Sequence, residues 1–272
     1  MAREIKPYEE LELKDDFMFG LIMHDSKYVK PFLEMILKIK IRKVVYPQSQ
    51  KSIDLSANAK AIRLDAYVED DQNTVFNLEM QTSDNRNLPK RMRYYQGVID
   101  LNILQKGQDY TKLKKSYVIF ICTFDPFGEG RHIYTFCNTC QENTALTLDD
   151  DAVKIILSTK GTMDDVSPEM KRILDYIDGK GASDEYTKQL EEAVRSARQN
   201  ESWRLGYMTL EYEYRQRYEE GLKEGEETGI AKTNERSIRK LYKRGESIAS
   251  IAEFVELDEE AVKRIIKAMG LE

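Results

Sequence analysis

The sequence predicts an α/β core with a mixed central sheet, followed by a helical C-terminal region. Three observations carry that prediction. Two period-two segments, Ile62–Val68 and Thr74–Gln81, flank a stretch of turn chemistry and read as a hairpin. Ser116–Phe124 is a near-continuous apolar run, the pattern of a strand buried on both faces. After about Gly181 the composition shifts to highly charged sequence with apolar residues at helical spacing.

Taken in order, Asp16–Lys38 reads as helical, because Phe17, Leu21, Phe32, Met35 and Ile36 recur at helix-like steps, and Asp25-Ser26 is a point where the run can break. Val44–Tyr46 is a short strand candidate. In Ile62–Val68, Ile62, Leu64, Ala66 and Val68 share one face, and Arg63, Asp65 and Tyr67 share the other. Glu69–Asn73 supplies the turn. In Thr74–Gln81, Phe76, Leu78 and Met80 oppose Asn77, Glu79 and Gln81. Pro89 suits the first turn of a helix that runs to about Lys106, before Gly107. His132–Phe136 and Ile155–Ser158 are further short strands.

The tail has its own pattern. Leu190, Ala193, Val194 and Ala197 form one helical stripe, and Trp203, Tyr207, Leu210 and Tyr214 another. Gly221, Gly225 and Gly229 follow at four-residue spacing. They suit either a helix that a partner approaches closely or a flexible charged linker, since each glycine costs a helix about 1 kcal/mol relative to alanine. From Glu235 to Met269 the pattern is three short helices, with Ser247 and Asp258 as caps for the second and third. The expected organisation is a core over 1–180, a charged helical connector over 181–233 and a helix-turn-helix-like unit over 234–272.

Composition excludes several classes. Nothing approaches the ~20 apolar residues of a membrane span, and Met1-Ala-Arg-Glu-Ile-Lys leads into no signal-type stretch. A cytoplasmic protein is expected. The net charge is −6, so global electrostatics give no reason to expect nucleic acid. Charge is uneven, however: Arg86–Lys115 holds eight Lys/Arg against two acids, and local field decides where a phosphate backbone can lie. Three cysteines argue against a disulfide framework. Cys137-x-x-Cys140, with His132 upstream, offers half of a zinc site and no second half; reduced thiols are the plainer reading.

The chemistry concentrates in the hairpin. Asp65 and Glu79 fall on neighbouring strands, each turned away from its strand's apolar stripe, and Gln81 shares the face of Glu79. Magnesium takes oxygen ligands and keeps several waters, so two carboxylates suffice to hold it. Such an ion can activate water, stabilise a pentacoordinate phosphate and assist the leaving oxygen. Taken alone, this spacing also suits ordinary solvated acids.

Several separated blocks add to it: Asp16-Phe-Met-Phe19, Arg63-Leu-Asp65, Leu78-Glu-Met-Gln81, Lys90-Arg-Met-Arg-Tyr-Tyr95, Gln105-Lys-Gly-Gln-Asp-Tyr110, Tyr117-Val-Ile-Phe-Ile-Cys122 and Phe124-Asp-Pro-Phe127. In order and spacing they resemble the Rpn family of recombination-promoting nucleases, also described as PD-(D/E)XK nuclease family transposases. The resemblance covers about Leu13–Phe136. It implies a restriction-endonuclease-like PD-(D/E)XK core and magnesium-dependent DNA cleavage, with manganese as an alternative ion. It implies Asp65 and Glu79 as metal ligands and Gln81 in the position where the wider superfamily has lysine. A neutral amide orients water but cannot stabilise hydroxide by charge, so charge must come from the metal or from Arg91 or Arg93.

Other residues keep two readings. Asp16 either adds a carboxylate, as related nucleases do, or caps its helix. Arg91 and Tyr95, four apart on one helical face, either touch phosphate or form a surface pair. The start of the last helix, Glu256-Leu-Asp-Glu-Glu260, would repel phosphates, which favours assembly over DNA reading for that unit. The Trp203–Tyr214 stripe either joins two copies in a homodimer or folds back onto the core. No small-molecule cofactor and no membrane partner are expected. The rival functional reading is a weakly catalytic or inactive DNA-binding protein that keeps the nuclease fold.

Overall fold

The computed structural model of the 272-residue chain describes residues 5–45, 52–53, 62–63 and 65–271. They divide into two compact units, one spanning Lys6–Leu205 and the other built from Gly206 onward.

The first unit is organised on a six-stranded mixed sheet. In chain order its strands are β1 (Val44–Val45), β4 (Ala66–Asp70), β5 (Val75–Gln81), β6 (Ser116–Cys122), β7 (Ile133–Phe136) and β8 (Ala152–Ser158), arranged β1-β4-β5-β6-β8-β7. β5, β6 and β8 run parallel to one another; β4 pairs antiparallel with β5, and β7 antiparallel with β8. The mixed sheet expected from the sequence is therefore present. A separate two-stranded pair joins β2 (Ser52–Ile53) to β3 (Ile62–Arg63).

One expectation changes here. The alternating run Ile62–Val68 is not a single strand: β3 pairs away from the main sheet, Asp65 occupies a bend, and β4 starts at Ala66. Leu64 and Tyr46 lie outside the described residues. The β4–β5 hairpin behaves as its turn chemistry predicts. The Asp70 carboxylate accepts the Gln72 and Thr74 amides at 2.9 and 2.8 Å, and Asn73 takes the left-handed conformation at φ 63°.

Helices cover both faces of the sheet. The expected N-terminal helix breaks at Asp25 into α1 (Asp16–Met23) and α2 (Ser26–Leu37), and the Asp25 carboxylate caps α2 through the Lys27 amide at 2.8 Å. α1 packs on β4 and β5. On the opposite face, α3 (Leu88–Ile103) sets Leu88, Met92, Tyr95 and Ile99 against Tyr67, Val75, Val118, Phe120 and Ile156. Full burial of each large apolar side chain contributes about 1.5–3 kcal/mol. α4 (Pro168–Ile177) and α5 (Glu185–Arg198) complete the unit, with Leu190, Val194 and Ala197 buried as their spacing predicts.

α6 (Glu201–Tyr242) is one continuous helix of 42 residues. Gly221, Gly225 and Gly229 lie inside it, so of the two readings the helix is the one observed, and nothing among the described residues stands within 4 Å of where their Cβ atoms would be. Ile238 and Leu241 belong to this same helix rather than to a separate short one. Of the aromatic stripe, Tyr207 is buried, whereas Trp203 lines a cleft with His24, Tyr28 and Ala193. α7 (Ile248–Val255) and α8 (Glu259–Ala268) are capped by Ser247 and Asp258, and close a small core of Ile238, Ile251, Val255, Val262 and Ile266. Among the described residues no helix is long and apolar enough to cross a membrane.

Candidate active site

The period-two alternation of β5 places Asn77, Glu79 and Gln81 on the face that α3 covers. All three are buried although polar, so this face of the strand is enclosed rather than solvated. Register sets Glu79 beside Phe120 and Gln81 beside Cys122 on β6. Asp65 arrives from the bend before β4, where it locks onto β5 in two ways. Its amide donates to Glu79 Oε1 at 3.3 Å, and its own Oδ2 accepts the Met80 amide at 2.9 Å. The Asp65 carboxylate thus takes a β5 amide where the continuous strand breaks off.

α1 makes this bend possible. A Cβ on Gly20 would stand 2.7 Å from the Asp65 carbonyl oxygen, so only glycine allows the helix this close to the backbone that carries the carboxylate. Asp16 lies one turn earlier on the same helical face. It is not the cap: Asp15 holds that position, and the Asp16 carboxylate accepts the Phe17 amide at 2.9 Å.

The electrostatics are those of crowded acids. Burial, reinforced by the neighbouring Asp65 charge, pushes the Glu79 carboxyl well above the usual carboxylate range. Hydrogen bonds from the Asp65 amide and the Asn77 side chain, and the positive charge of Arg91, offset this only in part. Asn77 Nδ2 donates to Glu79 Oε1 at 3.2 Å, while its own Oδ1 is buried with no hydrogen-bond partner among the described residues.

α3 contributes the cation. Arg91 donates through Nη1 to Gln81 Oε1 and through Nη2 to the Tyr95 hydroxyl, the latter at 3.1 Å. Its guanidinium lies 5.2 Å from the Phe120 ring centroid and 5.5 Å from that of Tyr95. The Gln81 amide is engaged at both ends, since Nε2 donates to the Ser83 carbonyl. Tyr95 is buried, and burial together with the Glu79 charge pushes its hydroxyl up to about 12. The Arg91–Tyr95 contact is therefore enclosed, not a surface pair. Arg93 lies exposed on the other side of α3.

Residues 14–160 match the family described as PD-(D/E)XK nuclease family transposase. The chain belongs to that family. No curated protein and no solved structure gave a significant match. The family match spans α1, the hairpin, α3 and β6 through β8, which is the set of elements that brings together Asp65, Glu79, Gln81 and Arg91.

Members of a nuclease family of this type raise the question of a divalent metal, and the donor set here fits one. Two close carboxylates and a partnerless amide oxygen at Asn77 are hard oxygen donors. A divalent cation would also relieve the repulsion that raises Glu79. Among the described residues no group of three or more His, Cys, Asp or Glu is arranged to hold a metal, so the remaining positions on such an ion would fall to water, as magnesium prefers.

The cysteine motif does not assemble a second centre. Cys137 is exposed, Cys140 donates to Glu142, and the His132 ring is buried against Asp165 with Nδ1 2.8 Å from Oδ1. Sequence reading left Asn77 and Gly20 without a role. Asn77 was detectable as a third polar residue on the face of Glu79 and Gln81. Gly20 carried no signal beyond its place beside Asp16-Phe-Met-Phe19.

Proposed function

We propose that this protein is a cytoplasmic, magnesium-dependent DNA endonuclease acting in recombination or transposition, with Mn²⁺ able to replace Mg²⁺. The observation that carries the reading is the interlocked Asp65–Glu79 pair: two acids held together, with Glu79 raised by burial and by the Asp65 charge, an arrangement that a divalent cation would relieve. Asp65 and Glu79 would hold the ion, with the Asn77 amide oxygen beside them. When bound, the ion acidifies a water and withdraws charge from the phosphate. In the reaction the water oxygen bonds to phosphorus and gives up its proton to solvent. One ester P–O bond breaks, and its oxygen leaves as an alcohol after taking a proton. Gln81 occupies the third motif position and holds the Arg91 guanidinium.

The basic outer side of α3, where Lys90 and Arg93 are exposed, suits the phosphate backbone. Two copies would supply two sites for double-strand cleavage. Exposed Tyr218, Leu222 and Ile230, and the open flanks of Gly221 and Gly225, support pairing through α6. Leu222→Arg with Gly225→Leu in the full chain should then sediment at a lower association state than wild type; equal sedimentation would remove the dimer. The test of activity is plasmid cleavage with and without Mg²⁺ by wild type and Asp65→Ala in parallel. Cleavage by both proteins would move the chemistry elsewhere, and cleavage by neither would favour a non-catalytic DNA-binding role.

A further inference from the structure

We infer that Arg91 supplies, from α3, the positive charge that the wider superfamily places on a lysine in the strand, and that Gln81 is the positioning residue that holds it there. This rests on the nuclease reading above.

The Gln81 side chain is already engaged within the protein. Its carbonyl oxygen accepts from Arg91 and its amide nitrogen donates to Ser83, so both ends of the side chain are committed to the protein. A side chain held in this way is a fixed acceptor. What it fixes is a guanidinium, steadied on its second arm by the Tyr95 hydroxyl and flanked by the rings of Phe120 and Tyr95. Phe120 is the register partner of Glu79, so the cation is held over the strand position next to that carboxylate.

The anchoring partners of Arg91 are all neutral. Among the described residues its guanidinium makes hydrogen bonds to an amide oxygen and a phenol, and no ion pair. Arginine has five N–H donors, and these contacts use two. A structural arginine at half-buried depth ordinarily ends on a carboxylate, because leaving its charge unmatched is costly. Here the charge meets Glu79 only through space, and three donors remain for an anion. The fork geometry of guanidinium suits two oxygens of one phosphate better than a lysine ammonium does. Arg91 therefore contacts the non-bridging oxygens of the phosphodiester under attack and offsets the negative charge that builds there as water adds. The neutral residue at position 81 is then the anchor of a relocated cation, and the site needs no lysine in the strand.

The test separates this role from a merely structural one. Plasmid cleavage and Mn²⁺ calorimetry are measured for wild type, Arg91→Gln, Arg91→Lys and the double variant Arg91→Gln/Gln81→Lys. Arg91→Gln should lower the cleavage rate by about 100-fold, the scale of removing one preorganised charged donor. Its Mn²⁺ affinity should hold or rise, since a like charge has been taken from beside the ion. A structural arginine would weaken both. The double variant should regain at least about tenfold over Arg91→Gln by returning a cation to the strand. Arg91→Lys should retain more activity than Arg91→Gln, and it decides the matter if Arg91→Gln does not fold. Arg91→Gln cleaving within about twofold of wild type would overturn the inference, as would a folded double variant with no recovery. Absence of cleavage by wild type itself would instead sink the nuclease reading, and the two failures are thereby distinct.

Discussion

The sheet carries two enclosed acidic centres towards opposite edges, and they are solved in opposite ways. At β7, Asp165 meets His132: one oxygen lies 2.8 Å from Nδ1, and both accept the His132 amide, at 3.2 and 3.1 Å. Burial alone would raise the Asp165 carboxyl, but the ring and amide bonds from His132 outweigh it and hold the group below its ordinary value. At β5, Glu79 meets another acid, and its carboxyl is pushed well up by burial and by Asp65. The first centre is satisfied by the chain itself. In the second, hydrogen bonds and the Arg91 charge offset the rise only in part, and this is the centre that we propose a bound cation completes. A buried acid with its own partners reads as architecture, and one facing a second acid reads as a site. Each centre also relies on a glycine for close approach, Gly161 beneath the His132 ring and Gly20 against the Asp65 carbonyl.

The largest effects should separate the two centres by function. Asp65→Asn or Glu79→Gln should lower metal-dependent cleavage by about 100-fold or more, roughly 3 kcal/mol of transition-state stabilisation. Thermal stability without metal should hold or rise, since repulsion between carboxylates is relieved. A large drop in melting temperature for either variant would make the pair structural and erase the contrast. His132→Ala should do the reverse. It removes a buried ring and a carboxylate's partner, which costs about 2–4 kcal/mol in urea denaturation, while Mn²⁺ affinity of the folded fraction stays near wild type.

The glycines give a finer version of the same test. Gly161→Ala would force a Cβ to within 2.4 Å of the His132 ring and Gly20→Ala to within 2.7 Å of the Asp65 carbonyl. Both should lower stability, by about 1–3 kcal/mol as overpacking does. Only Gly20→Ala should also weaken Mn²⁺ binding, because only there does the displaced backbone carry a proposed ligand, Asp65. Equal metal affinity in the two variants would show that α1 does not set the position of Asp65.

The smallest effect is in the pH profile with metal chelated, where the two centres have slopes of opposite sign. Asp165 is held below its ordinary value, so its contribution is present above that value and is lost as pH falls through the folded-state pKa. Glu79 is held above its ordinary value of 4.5, so the folded state binds the extra proton and stability falls as pH rises from there through the raised pKa. Urea midpoints across a pH series should show the falling limb flattened in Glu79→Gln and the acid-side slope reduced in Asp165→Asn. Parallel profiles for wild type and Glu79→Gln would contradict the assigned shift.

Local pattern made the polar face of β5 legible, because alternation along Thr74–Gln81 is strict enough to put Glu79 and Gln81 together. The same rule failed at Asp65. Residue types alternate through the bend without interruption, and neither the contact with Gly20 nor the Asp65 carboxylate taking the Met80 amide is written in that local pattern. His132 and Asp165 are 33 residues apart in the chain and announce their pairing in no local pattern. The Arg91–Gln81 bond joins a strand to the next helix, so spacing could nominate Arg91 and Arg93 alike. Only helix phase in the folded chain turns the first inward and the second outward. α4 was not assigned from the sequence, although it begins at Ser167-Pro168, where the serine hydroxyl accepts the Met170 amide at 3.2 Å.

The most direct test of the central claim is calorimetric titration of Mn²⁺ into wild type and Glu79→Gln, each in two buffers of different ionisation enthalpy. A carboxyl raised by burial and by a neighbouring acid carries more proton than an ordinary one at the same pH, and an ion that binds it displaces that share. The account predicts binding to wild type with a buffer-dependent heat that reports proton release, and weakened binding without that dependence in Glu79→Gln. Identical affinity and identical buffer dependence in the two proteins would contradict it, because Glu79 would then be neither a ligand nor the group that gives up the proton.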